Sequence, residues 1–149
     1  MRNNFGQHDR FQKFVLKHGQ EFKSVINLPP DIKRGRKGRY KGRCFESAFK
    51  AVLNNRKKYY YCEGYATSGT TDSMAVLHGW IVNRKHEVID PTWKDGKEYF
   101  GIIFRWSYVK RITYKHKAFM TLIDNWEDNW PLLKMTPEEV RKNIVIPKK

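Results

Sequence analysis

The order in which helical and strand-like segments follow one another limits this chain more than any other feature. Residues 9–26 place Phe11, Phe14, Val15 and Phe22 near helical spacing, with Gly19 as a break point and Pro29-Pro30 as the end of the region. Residues 44–53 put Phe45, Ala48, Phe49 and Val52 on one helical face, and Asn54-Asn55 supplies a stop. Strand-like runs then take over at 58–66, 76–82 and 86–90, with 98–104 and 108–114 as further strands. Ser68-Gly69-Thr70-Thr71-Asp72 reads as a turn, and Asn83-Arg84-Lys85 is a short polar link between the second and third strands. Thr136 as cap, Pro137 and Glu138-Glu139 announce a short helix near the C-terminus. Helices first and strands after them predict an α+β fold, an antiparallel β-sheet with N-terminal helices packed on it.

At 149 residues the chain fits one domain, 1–149, and its five Trp, eight Tyr and nine Phe can fill one core. Within it the sequence separates an N-terminal helical region (1–32), a basic flexible loop (33–43), a core (44–114) and a C-terminal extension (115–149). No apolar run approaches the roughly 18 residues of a membrane span. The first ten residues lack the apolar centre of a signal peptide, so a cytoplasmic protein is expected, with Cys44 and Cys62 as free thiols.

The net charge of +15 is uneven: residues 1–58 hold 16 Lys/Arg against 4 Asp/Glu, and residues 59–149 hold 14 against 11. Lys33, Arg34, Arg36, Lys37, Arg39, Lys41 and Arg43 crowd into eleven residues with no acid among them. Such a block attracts nucleic acid or an acidic protein surface, or it is a solvated loop that only keeps the protein dispersed. Gly35, Gly38 and Gly42 do not make a phosphate loop, since the closing Gly-Lys-Ser/Thr is missing.

Cys44 stands where this loop meets a helix start. Unpaired N–H groups, the positive end of the helix dipole and Arg43 favour a thiolate there, which is the nucleophilic form. Read alone, Cys44 is equally a small buried residue on the inner helix face. His78 and Asp90 add to it. With a three-residue turn at 83–85, Val82 faces His86 and His78 falls opposite Asp90, within reach of a hydrogen bond. With a two-residue turn Asp90 faces Gly79 instead. A carboxylate at the first register fixes the imidazole tautomer and steadies the imidazolium, the third-group role behind a nucleophile–base pair. Cys62, in the middle of a Tyr-rich strand, reads as inert core.

A cysteine at a helix start, then a strand bearing His and a strand bearing Asp, resembles the transglutaminase-like branch of the papain-like cysteine enzymes. His78-Gly79-Trp80-Ile81-Val82 through Val88-Ile89-Asp90-Pro91-Thr92-Trp93 resembles their His-Ala-Trp … Asp-Pro-Thr-Trp pattern, with Gly79 where Ala is usual. Gly64-Tyr65 and Tyr99-Phe100-Gly101 resemble small, mostly phage-encoded proteins of this type, in which Asn rather than Ser47 is expected at that place; a phage origin would put the protein in the host cytoplasm. The resemblance covers about residues 33–104. It implies a papain-like core with the Cys helix against an antiparallel sheet, and catalytic roles for Cys44, His78 and Asp90. The expected activity is thiol-dependent acyl transfer on amide bonds of a protein or peptide, as a peptidase, an amidase or deamidase, or a transglutaminase. The competing reading is a basic binding module on the same fold without catalysis. Glu63 either faces the cleft and binds a cationic group or is simply exposed, and Trp80 and Trp93 either wall the cleft or pack in the core. The five His show no metal-ligand spacing, and no cofactor is expected.

Overall fold

A computed structural model of the chain describes residues 2–35 and 43–147. In chain order these form α1 (Arg2–His18), β1 (Gln20–Phe22), α2 (Arg43–Asn54), β2 (Tyr59–Ser68), β3 (Val76–Asn83), β4 (Val88–Ile89) and β5 (Gly96–Phe104). There follow α3 (Trp106–His116), a 3-10 turn at Pro131–Lys134, α4 (Pro137–Asn143) and β6 (Ile144–Val145). The fold is mixed α and β, with one curled antiparallel sheet in the order β1-β5-β2-β3-β4, and β6 also on β5.

The curl has a specific cause. Gln20–Phe22 pair with Gly101–Tyr99 of β5, and a few residues later Val88 of β4 donates to the Ser24 carbonyl at 2.7 Å while Ile26 donates to the Val88 carbonyl at 2.9 Å. One stretch, 20–26, thus ties the two outer strands of the β5-β2-β3-β4 sheet together.

Strand alternation sorts the side chains between two cores. Tyr61, Ile81, Ile102 and Phe104 face α1, α2 and α3, where they meet Phe11, Val15, Ala48, Phe49, Val52, Tyr108 and Ile112. Cys62, Ala66, Trp80, Val82, Tyr99 and Ile103 face the other way and close on Phe22 and Val88. The sheet is therefore covered on both faces, which is why β2 reads as a nearly unbroken buried run. From 115–147, Leu122, Ile123, Leu132, Val140 and Ile144 join the first core.

Three sequence expectations change. The helix expected at 9–26 ends at His18: Gly19 packs so close to the Val15 and Gly101 carbonyls (2.6 and 2.7 Å from a Cβ built there) that the chain turns and joins the sheet. Residues 108–114 are not a strand but lie in α3. Their β-branched and aromatic residues suit a strand, but Tyr108, Val109, Ile112 and Thr113 are buried at helical spacing, and tertiary packing decides. The turn after β3 is Arg84-Lys85-His86 rather than 83–85. Ile81 pairs with Ile89 and Val82 with Val88, and His86 takes the left-handed conformation (φ 61°) that closes it. Helices and strands consequently interleave. The short C-terminal helix is present as α4, with Thr136 and Glu139 bonded reciprocally in a capping box.

Candidate active site

Cys44 is the second residue of α2, half-buried, and its thiol is free. The first four N–H groups of a helix have no intrahelical acceptor, so the N–H of Cys44 points out of the helix end beside its sulfur. Phe45, the next residue, seats α2 on the sheet. It lies over Gly79, where a Cβ would come within 2.8 Å of the Phe45 ring. Glycine at 79 lets the helix approach the strand next to His78. The alanine usual in the resembling family would require Phe45 to shift.

His78 sits on β3 with 2% of its surface exposed. Its Nε2 donates to Asp90 Oδ2 at 2.8 Å, and the Cys44 side chain is near enough to help raise the imidazole's pKa. The ring stacks on Trp93, with centroids 3.6 Å apart and planes 9° from parallel. The register that brings His78 to Asp90 differs from the expected one. With Ile81 opposite Ile89, continuing the ladder sets Asp90 across from Trp80. The displacement is two residues, an even number, so Asp90 stays on the His78 face and reaches it diagonally.

Asp90 is held from several sides. Oδ1 accepts the N–H groups of Thr92 and Trp93, both at 2.9 Å, and Oδ2 accepts the Tyr99 hydroxyl at 2.6 Å besides His78. The turn Asp90-Pro91 is in turn clamped by residues 34–35: Arg34 donates to the Asp90 carbonyl at 3.2 Å and Gly35 N–H to the Pro91 carbonyl at 2.7 Å.

These contacts set the charges. Burial opposes ionisation of Asp90, but the bonds from His78, Tyr99 and Trp93 outweigh it and hold the carboxyl below its usual range. Burial also opposes charge on His78, yet hydrogen bonds to Asp90 and Cys44 carry it up to about 9. Burial and the Asp90 charge push the Tyr99 phenol well above its ordinary value, so it remains a donor. At neutral pH the His78 imidazole is therefore protonated beside the Asp90 carboxylate.

Cys62 is fully buried, on the second core, and burial followed by the Glu63 charge pushes its thiol well up. Glu63 neither faces a cleft nor is exposed. It is completely buried, and both its oxygens accept the Leu122 N–H (2.9 and 2.7 Å), with the Tyr61 hydroxyl at 3.2 Å. Burial raises it to about 8 against those donors, and its work is to pin the 121–123 loop. Trp80 is also fully buried and cannot wall an open cleft, whereas half-buried Trp93 stacks on the histidine. Of the basic set, Arg36, Lys37, Arg39 and Lys41 lie outside the described residues; Lys33 is exposed, and Arg34 and Arg43 are half-buried.

Sequence reasoning did not single out Tyr99 as a site residue, and it named Arg34 only as a member of the basic block. Tyr99 lies on the same sheet face as His78 and Trp80, a placement strand alternation along 98–104 gives once that strand is paired. The Arg34 contact with a main-chain oxygen has no sequence signal. Among the described residues no group of three or more His, Cys, Asp or Glu is arranged to hold a metal ion, and no helix is long and apolar enough to cross a membrane. No protein-family model, curated protein or solved structure matches the chain.

Proposed function

We propose that the protein is a thiol-dependent acyl-transfer enzyme acting on amide bonds of a protein or peptide, with a core of the papain-like, transglutaminase-like kind. The observation that carries this reading is one buried imidazole bonded to Asp90, with a cysteine at a helix N-terminus as a neighbour that raises its pKa. The contact of Phe45 with Gly79 seats the cysteine-bearing helix against the strand that carries His78.

The chemistry follows from the contacts. The Cys44 thiolate attacks the amide carbonyl, forming a C–S bond and an oxyanion, to which the outward N–H of Cys44 donates. As the oxyanion collapses, the C–N bond breaks and His78 gives its Nδ1 proton to the departing amine. Asp90 keeps the ring oriented through Nε2. Neutral His78 then takes a proton from water, which releases an acid, or from an amine, which forms a new amide. The thioester C–S bond breaks and the thiolate–imidazolium pair returns.

The test is labelling by iodoacetamide, followed by mass spectrometry on each cysteine. Cys44 in the native protein should react at neutral pH at least about tenfold faster than an ordinary exposed thiol. Buried Cys62 should react only after denaturation. A Cys44 rate no faster than that of a simple thiol would remove the enzyme reading.

A further inference from the structure

A cleft of about 810 Å³ runs beside α2, between that helix and residues 31–35. It begins at Arg43, next to Cys44, passes Ser47 and Lys50, and ends at Asn54 and Asn55. From Arg43 to Asn54 the helix rises about 16 Å, enough for about five extended residues. The cations lining it are Lys33, Arg34, Arg43 and Lys50, and the acids are Asp31 and Glu46. Both acids are engaged: Glu46 by Lys50 at 2.7 Å, Asp31 by Lys58 at 3.3 Å and by the Tyr59 hydroxyl at 3.0 Å. Lys33 and Arg34 meet no carboxylate among the described residues. Phe119 closes the far side with an exposed ring resting on Phe49.

We infer that this cleft is the substrate groove and that it takes an extended acidic peptide segment, laid along α2 so that its reacting amide reaches Cys44. The inference rests on the enzyme reading above and names its substrate class. Charge complementarity selects the occupant: Lys33 and Arg34, which meet no carboxylate among the described residues, and the intervening carboxylates suit a chain whose negative charges are discrete and separated by neutral groups. A phosphate backbone, charged at every step, would meet Asp31 and Glu46 as well. The groove begins at Arg43, the residue before Cys44, and the group a cysteine thiol attacks is a carbonyl, which peptide supplies. Ser47 stands on its floor, pressed against Gly35, so residues 34–35 form both the groove wall and the clamp on Asp90-Pro91.

The experiment uses two short peptide vinyl sulfones, one with glutamates along its length and the other with glutamines at the same places. Cys44 labelling by each is measured by mass spectrometry across ionic strength, beside iodoacetamide. The glutamate probe should react about tenfold faster at low salt, with the advantage shrinking as salt screens it. In the Lys33→Ala, Lys50→Ala double variant the glutamate-to-glutamine ratio should fall towards one. Because each ratio is taken within one protein, altered stability does not imitate the result. Equal rates for the two probes, with Cys44 still fast towards iodoacetamide, would overturn the acidic groove and leave the enzyme reading standing. Slow labelling by every reagent would remove both. A single-stranded oligonucleotide that blocks Cys44 labelling more strongly than a glutamate peptide at equal ionic strength would reassign the groove to nucleic acid and overturn the peptide.

Discussion

Among the described residues are two histidine–aspartate pairs that look alike and differ in what they can do. His78 and Asp90 are twelve residues apart and joined Nε2 to Oδ2 at 2.8 Å; His116 and Asp128 are also twelve apart and joined Nε2 to Oδ2 at 2.8 Å. The difference lies on the other ring nitrogen. For His116 it meets a second carboxylate, Glu127, at 2.9 Å, so the ring is closed at both ends by acids. His78 instead has the Cys44 side chain as a neighbour that raises its pKa. Surroundings differ as well: the first pair is 2% and 3% exposed and stacked on Trp93, while the second is 15% and 12% exposed and shares Asp128 with Lys115. A His–Asp bond of good length is thus a structural clamp by default. It becomes a candidate catalytic device only when a nucleophile holds the remaining nitrogen.

Removing the charge from each aspartate should separate the two pairs most sharply in thiol reactivity. Asp90→Asn keeps the shape but leaves His78 without the carboxylate that favours its protonated form, and the thiolate loses its cationic partner. Cys44 alkylation at neutral pH should slow by about tenfold or more, a decade for each 1.4 kcal/mol of lost ion-pair stabilisation. Asp128→Asn should leave that rate unchanged. Equal Cys44 rates in wild type and Asp90→Asn would break the comparison, because the two pairs would then both be structural.

The same two pairs show what the sequence could and could not convey. α2, β2, β3 and α4 were legible because apolar periodicity, a cap and turn residues act locally. So was the meeting of His78 with Asp90, although for a reason slightly different from the expected register: a two-residue slip preserves the face, and a one-residue slip would have destroyed the site. The fate of Glu63 was not legible, since its partner is the Leu122 N–H, 59 residues away, and a backbone donor carries no side-chain signature. α3 was misread for a related reason. Val109, Ile112 and Thr113 favour strands intrinsically, and only the core against which they pack makes them helical.

Stability should separate the pairs less steeply. Breaking a buried pair strands a partner in a dry site, and Asp90→Asn also disturbs an oxygen bonded to the Tyr99 hydroxyl. Chemical denaturation should show a loss of about 3 kcal/mol, with the protein still folded. Asp128→Asn, nearer water and already sharing Lys115, should lose about 1 kcal/mol or less. A larger loss at Asp128 than at Asp90 would show that the clamp at the C-terminal side, and not the candidate site, anchors the fold.

The smallest and most diagnostic difference concerns pH. His78 in the folded protein is raised to about 9 from the 6.5 of an unstructured imidazole. The folded state therefore binds its proton more tightly than the unfolded chain. The stability this confers is complete below about pH 6.5 and is lost as pH rises through about 9. Asp128 has the opposite sign: hydrogen bonds from His116 and Lys115 hold it below its usual range, so its contribution is present above the ordinary carboxylate value and fades only in acid. Asp90, lowered by His78 and Tyr99 against its burial, adds its own acid limb. Urea midpoints followed across pH should thus decline on the alkaline side in wild type. That decline should become shallower between about pH 6.5 and 9 in His78→Gln, and persist unchanged in Asp128→Asn. Glu63, raised to about 8, gives both proteins a decline that ends near that pH, so the His78 contribution is the difference between them. A limb equally steep in wild type and His78→Gln would mean that His78 is not the group held protonated.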